Sequence, residues 1–260
     1  MSGKYVKKKN KQKTQWGVLL IVIGCLAAVC AAVGWLLTDN PPVSDSGTLS
    51  PTTIRETTPT EVTAPIHLDA VEEVSINLGS GMRITDVGKY TGIYMEDGSD
   101  EIVSGILMIA VTNEGEDVIR YAEISMPVGE RTAHFSLSTL PVGCTVILLE
   151  QSRMAYEAGD YTSAVAENVV LFDAPLDLCA DRLKIQILDG AINVSNISGA
   201  DIAGDIVIYY KNSAADVYYG GITYRVRLEG GLKSGELKQI MASHFSDTGS
   251  TIMFVTCGES

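Results

Sequence analysis

Cys144, His134 and Arg153 are the residues of this chain whose types suit nucleophilic chemistry. A cysteine thiolate can attack an acyl carbon while an imidazole protonates the leaving amine and a guanidinium steadies the oxyanion. Cys144 closes the run Thr139-Leu140-Pro141-Val142-Gly143-Cys144, with His134 ten residues upstream and Arg153 nine downstream. The same run also reads as a hairpin turn, Pro141-Val142-Gly143, that enters a strand beginning with a small buried hydrophobe. The turn reading is adopted, so no catalytic residue and no enzyme activity are expected.

Other reactive patterns are sparse. His67, His134 and His244 stand far apart with no metal-ligand spacing, and no H-E-x-x-H, G-x-S-x-G, phosphate-loop or dinucleotide fingerprint occurs. The acidic loop Glu96-Asp97-Gly98-Ser99-Asp100-Glu101 offers oxygens that suit Ca²⁺, but it lacks the alternating register of a calcium loop and reads as a solvated turn. Neither a metal nor a cofactor is expected. The remaining candidate is aromatic: Tyr209, Tyr210, Tyr218, Tyr219 and Tyr224 crowd into residues 206–227 beside Arg225 and Arg227. Adjacent tyrosines on a strand point to opposite faces, and exposed tyrosines beside arginines suit protein recognition or sugar stacking. Tyr218, Tyr219, Tyr224 and Arg225 are therefore the candidate binding residues. Gly220-Gly221 predicts a bulge that tilts one ring of the pair 218/219 outward. The alternative is that these rings pack between sheets.

The elements that must position these residues are strands. Apolar and polar residues alternate at period two over 74–78 and 82–87, and β-rich runs follow at 102–113, 118–128, 132–140, 144–150 and 165–172. Residues 154–164 carry the poorest strand signal and read as a loop or short helix. A second cycle runs through 182–188, 191–194, 205–211, 217–228, 237–243 and 251–257. The cycles share landmarks: Val111-Thr112-Asn113 matches Val194-Ser195-Asn196, and Leu140-x-x-Gly143 matches Leu232-x-x-Gly235. The expected fold class is all-β, with two tandem β-sandwiches at 67–173 and 174–260 and one interleaved domain as the alternative.

Ahead of them lies a membrane anchor. From Trp16 to Leu37 the chain is apolar, uncharged and free of proline, long enough as a helix to cross the roughly 30 Å hydrocarbon core. Residues 1–15 carry six lysines and no acid, which keeps that tail cytoplasmic and sends the rest outward. Val22-Ile23-Gly24-Cys25 resembles a bacterial lipobox, although the apolar sequence after Cys25 departs from that pattern; a cleaved signal peptide is the third reading. Residues 38–66 hold five of the eight prolines among Thr and Ser and read as a disordered linker. From His67 onward there are 12 Lys and Arg against 28 Asp and Glu, a balance of −16 that disfavours nucleic acid. Cys144, Cys179 and Cys257 on the outer side are odd in number, so no complete disulfide framework is possible. One pair could bridge, but mostly buried free thiols are expected.

Two resemblances follow from these residues. The anchor with a β fold and a His, Cys and Arg resembles the sortases, whose T-L-x-T-C motif is here lengthened by one residue. Asn196-Ile197-Ser198-Gly199 and Ile206-Val207-Ile208-Tyr209-Tyr210 resemble the FxLYD family of extracytoplasmic sandwich modules, with Ile206 where that family has Phe and Tyr210 where it has Asp. The layout is also similar to single-pass surface proteins of Gram-positive bacteria. These resemblances imply a cell-membrane protein with a cytoplasmic N-terminus and extracellular Ig-like modules. Its expected role is binding or scaffolding in the cell envelope, with a protein or a cell-wall glycan as partner. The alternatives are an accessory subunit of a membrane machine and a divergent sortase-like enzyme.

Overall fold

In the computed structural model, described for residues 66–214 and 217–259, every regular element is a β-strand. The tail at 1–15, the span at 16–37 and all but the last residue of the linker at 38–66 lie outside the described residues. Among the described residues no helix is long and apolar enough to cross a membrane. In order the strands are β1 (His67–Gly79), β2 (Met82–Ile93), β3 (Ile102–Asn113), β4 (Ile119–Val128), β5 (Arg131–Leu140), β6 (Thr145–Leu149) and β7 (Val165–Leu171). They continue as β8 (Leu183–Leu188), β9 (Ala191–Asn196), β10 (Asp205–Ala214), β11 (Val217–Leu228), β12 (Leu237–Met241) and β13 (Ser250–Glu259). The weak stretch 154–164 forms neither helix nor strand, apart from one bridge between Ala155 and Ile106.

Three open sheets result. The central one has seven strands in the order β1-β2-β3-β6-β11-β10-β13, and the others are β5-β4-β7 and β12-β9-β8. Alternation of side chains decides which face each small sheet covers. Val146 and Leu148 of β6 enter a core shared with Ile124, Phe135 and Ala166 of β4, β5 and β7. Ile147 and Leu149 point to the other face. Tyr218, opposite Val146, follows the first pair, and Tyr219, opposite Ile147, the second. Asn212 lies opposite Tyr219 on that second side, so Tyr210, Ile208 and Ile206 share it and there meet Ile192, Val194 and Leu183 in another core. The two small sheets thus cover opposite faces of the central sheet, one on each half. The boundary expected between residues 173 and 174 falls in the connection between β7 and β8; Tyr218 from beyond it packs into the first core, and the central sheet runs across it through the parallel pairing of β6 with β11.

The strands repeat. β2-β3-β6 faces β5-β4-β7 as β8-β9-β12 faces β11-β10-β13, and a buried asparagine organises both copies. Asn113 Oδ1 accepts the Gly115 amide at 3.0 Å, and its Nδ2 donates to the carbonyls of Asp117 (2.9 Å) and Leu140 (3.0 Å). Asn196 Oδ1 accepts the Ser198 amide at 3.0 Å, and its Nδ2 donates to Ala200 (2.7 Å) and Leu232 (3.1 Å). The amide of Gly143 donates to the Asn113 carbonyl, and that of Gly235 to the Asn196 carbonyl. Each side chain therefore ties the turn after its own strand to the Leu-x-x-Gly turn 27 or 36 residues on. Asn113→Ala and Asn196→Ala should each cost roughly 1–3 kcal/mol, because buried carbonyls lose their donor. Because the sites lie in separate cores, the double variant should lose the sum to within about 0.5 kcal/mol; urea unfolding of the three variants measures both.

Candidate functional site

Two glycines in mid-strand weaken a strand and mark a bulge. At Gly220-Gly221 the register of β11 on β10 jumps from Asn212↔Tyr219 to Tyr210↔Tyr224, so residues 220–223 stand opposite Lys211 alone. Gly220 has φ +81°, a left-handed conformation, and a Cβ on Gly221 would fall 1.8 Å from the Ser136 carbonyl oxygen. The bulge moves β11 off the edge of β6 and onto the edge of β5. There Ser138 Oγ donates to the Gly221 carbonyl (2.9 Å), and Thr223 Oγ1 donates to the Ser138 carbonyl (3.1 Å).

Parting β6 from β11 strands two amides. The parallel register pairs 217 with 145 and 219 with 147, and its continuation would set Gly221 beside Leu149. The Glu96 carboxyl fills that gap: Leu149 N donates to Oε1 at 2.8 Å and Gly221 N to Oε2 at 2.7 Å. Lys211, itself buried, donates from Nζ to the carbonyls of Gly220 (3.0 Å), Gly221 (3.1 Å) and Ile222 (2.8 Å). Three carbonyl acceptors require three N–H donors, so the ammonium form is present, and two amide donors suit an ionised carboxylate. Burial works against both charges, raising the Glu96 pKa and lowering that of Lys211; the amide bonds to Glu96 and the attraction between the charges oppose it. One peptide unit, 220–221, accepts from the ammonium through its carbonyl and donates to the carboxylate through its N–H.

The acidic loop forms the rim of this junction. Arg153 pairs with Asp97 (3.1 Å) and Glu101, and its guanidinium lies 4.5 Å from the centroid of the Tyr94 ring. The Ser99 hydroxyl and amide, and then Arg153, hold the Asp97 carboxyl below its ordinary range. Asp100 meets His244 at 3.3 Å. The loop therefore straps the first half of the chain to the second, and among the described residues no group of three or more acidic, His or Cys side chains is placed to hold a metal.

The candidate nucleophile and its partners are not assembled. His134 lies beside the far end of β6, its amide donating to Glu150 Oε1 (3.2 Å) and its carbonyl accepting from Gln151 (3.0 Å), and Arg153 follows that same end. Cys144 precedes the near end and packs against the first core. Six residue steps at about 3.3 Å put the thiol on the order of 20 Å from both.

The four candidate binding residues do not share a surface either. Tyr218 and Tyr219 are each half-buried on opposite faces against different cores, so the bulge forms as expected but turns neither ring out to solvent. Tyr224 is stacked between Tyr210 (5.4 Å between centroids) and His244 (5.0 Å). Arg225 alone is exposed, across the ladder from Tyr209, whose ring stacks on Phe254 at 4.1 Å. Sequence reasoning missed Glu96 and Lys211 as partners. The available signals were a lysine closing the apolar run Ile206-Val207-Ile208-Tyr209-Tyr210 and the glycine doublet opposite it.

Among the edge strands, β12 carries the most exposed of the large apolar side chains, Met241. By the repeat it is the counterpart of β6, with Leu237, Gln239 and Met241 at the places of Thr145, Ile147 and Leu149. Ile147 and Leu149 are buried in a cluster with Tyr94, Met95, Val217 and Tyr219. Leu237 is 57 % exposed and Met241 75 %. Comparison with protein-family models, curated proteins and solved structures finds no match.

Glu96→Gln turns an amide NH₂ toward one of two backbone donors and leaves Lys211 without its counter-charge. The expected loss is roughly 3–5 kcal/mol, with a similar loss for Lys211→Met and less than the sum for the pair, measured by denaturant unfolding. Burial and then the Glu96 charge push the Tyr94 phenol up to about 12. The folded chain then keeps a proton that the unfolded chain releases near pH 10. Stability present below pH 10 should thus fall as pH rises toward about 12, and less steeply in Tyr94→Phe, as urea midpoints across that window would record.

Proposed function

We propose that this chain is a membrane-anchored extracytoplasmic binding or scaffolding protein of the cell envelope. Residues 16–37 hold it in the cell membrane with the lysine tail in the cytoplasm. Residues 67–173 and 174–260 serve as two Ig/FxLYD-like modules held outside by the linker at 38–66. The observation that carries the binding role is the bare edge of β12. At the corresponding edge of the first half, β6 is closed by a parallel strand and a cap of apolar side chains. At β12 the main-chain donors and acceptors and two large apolar side chains stand uncovered. A partner protein that contributes an extended strand would pair with those groups and cover Leu237 and Met241.

Lys238 supports selective rather than indiscriminate pairing. It takes the core-side place that Val146 has on β6, and its Nζ donates to the Gly231 carbonyl at 3.0 Å. An inward-pointing charge on an edge strand discourages unspecific strand addition. The glycan alternative has less support, since the tyrosines proposed for sugar stacking are engaged in packing. The sortase-like alternative has less still, because its three residues stand apart.

Affinity capture with the full-length protein in detergent should recover an envelope protein through this edge. Leu237→Lys combined with Met241→Lys should weaken that capture by about 1–3 kcal/mol while leaving the melting temperature nearly unchanged. Undiminished capture by the double variant would move the binding surface elsewhere.

A further inference from the structure

Cys179 and Cys257 are both free thiols, yet the chain brings them together from positions 78 residues apart. Cys179 lies in the connection between β7 and β8, and Cys257 lies near the end of β13, the edge strand of the central sheet. The connection is held against β13 by main-chain bonds: the Val255 amide donates to the Asp177 carbonyl at 2.8 Å. The Cys179 thiol donates to the Val255 carbonyl at 3.4 Å, and Cys257, two residues along the same face of β13, packs against the core that contains Cys179. Both thiols thus lie at the same stretch of β13 and against the same core.

Cys179 is fixed in place. It has φ 52°, its amide donates to Asp177 Oδ1 at 2.8 Å, and its carbonyl accepts from the amides of Arg182 and Leu183. Arg182 Nη2 lies 3.5 Å from its sulfur. Cys257 is partly exposed while Cys179 is buried, so an oxidant reaches one thiol and the other stands behind it. Cys144 belongs to the other core and takes no part.

We propose that Cys179 and Cys257 are a redox pair that closes into a disulfide on meeting a disulfide-bearing oxidant, locking the last strand onto the start of the second half. Deprotonated Cys257 attacks one sulfur of the oxidant's disulfide, forming a mixed disulfide and releasing one thiol of the oxidant. Cys179 then gives up its proton and attacks the Cys257 sulfur, and the second thiol of the oxidant departs. Two protein thiols lose two electrons and two protons, and the oxidant's disulfide becomes two thiols. Burial pushes the Cys257 thiol up to about 12, so the first step is slow at neutral pH and quickens as pH rises. The bridge encloses β8 to β13, a long loop, and restricts the unfolded chain accordingly.

The test treats the full-length protein in detergent with oxidised glutathione, then alkylates, digests without reductant and maps the linked peptides. A peptide joining Cys179 to Cys257 should accumulate, and the melting midpoint should rise by roughly 5–10 °C, reversed by dithiothreitol. Cys144→Ser should leave both results unchanged, and Cys257→Ser should remove both. The wild-type map decides the matter even if Cys257→Ser does not fold. Persistence of both residues as alkylated thiols or as separate glutathione adducts, or a bridge that runs to Cys144, would overturn the proposal.

Discussion

The peptide unit between Gly220 and Gly221 is the point on which the two halves of this protein depend. A sheet that crosses from one half to the other must leave β6 where β11 turns toward β5, and leaving β6 exposes amides in a dry setting. Unsatisfied, those groups would oppose the junction by several kcal/mol. The chain answers with a carboxylate that takes one backbone amide on each oxygen and an ammonium whose three donors all reach backbone carbonyls. The glycines are required by the same geometry, since any side chain at Gly221 would collide with β5. Charge, conformation and topology are thus one problem with one solution.

Around that joint the chain uses a six-strand plan twice. The same asparagine-centred turn closes both copies, yet their outer edges end differently. In the first copy the edge is consumed by the second, and the apolar side chains it carries are capped by Tyr94, Met95 and Tyr219. In the second copy no strand among the described residues pairs with the outer edge of β12. An edge that the fold knows how to pair, left unpaired and apolar, is the feature that most distinguishes the second half from the first.

The acidic character of the chain from His67 onward has a structural component as well as a solvating one. Asp97 and Glu101 hold Arg153, Asp100 meets His244, and Glu96 leaves solvent for the parted ladder. A loop that reads as a charged turn is therefore the strap across the junction.

Strand positions were legible in the residues because alternation at period two and turn chemistry are local: 102–113 and 217–228 match β3 and β11 end to end. The paired landmarks Asn113 with Leu140-x-x-Gly143, and Asn196 with Leu232-x-x-Gly235, were legible for the same reason, as a buried amide needs fixed partners at fixed turns. What the tertiary structure alone decided is the neighbour of each edge. Whether β11 joins β6, which face each small sheet covers, and whether Tyr218 and Tyr219 reach solvent all depend on register between segments some 70 residues apart, which no local period encodes. The partnership of Glu96 with Lys211 was hidden likewise, because 115 residues separate two charges that meet only through the backbone of a third segment.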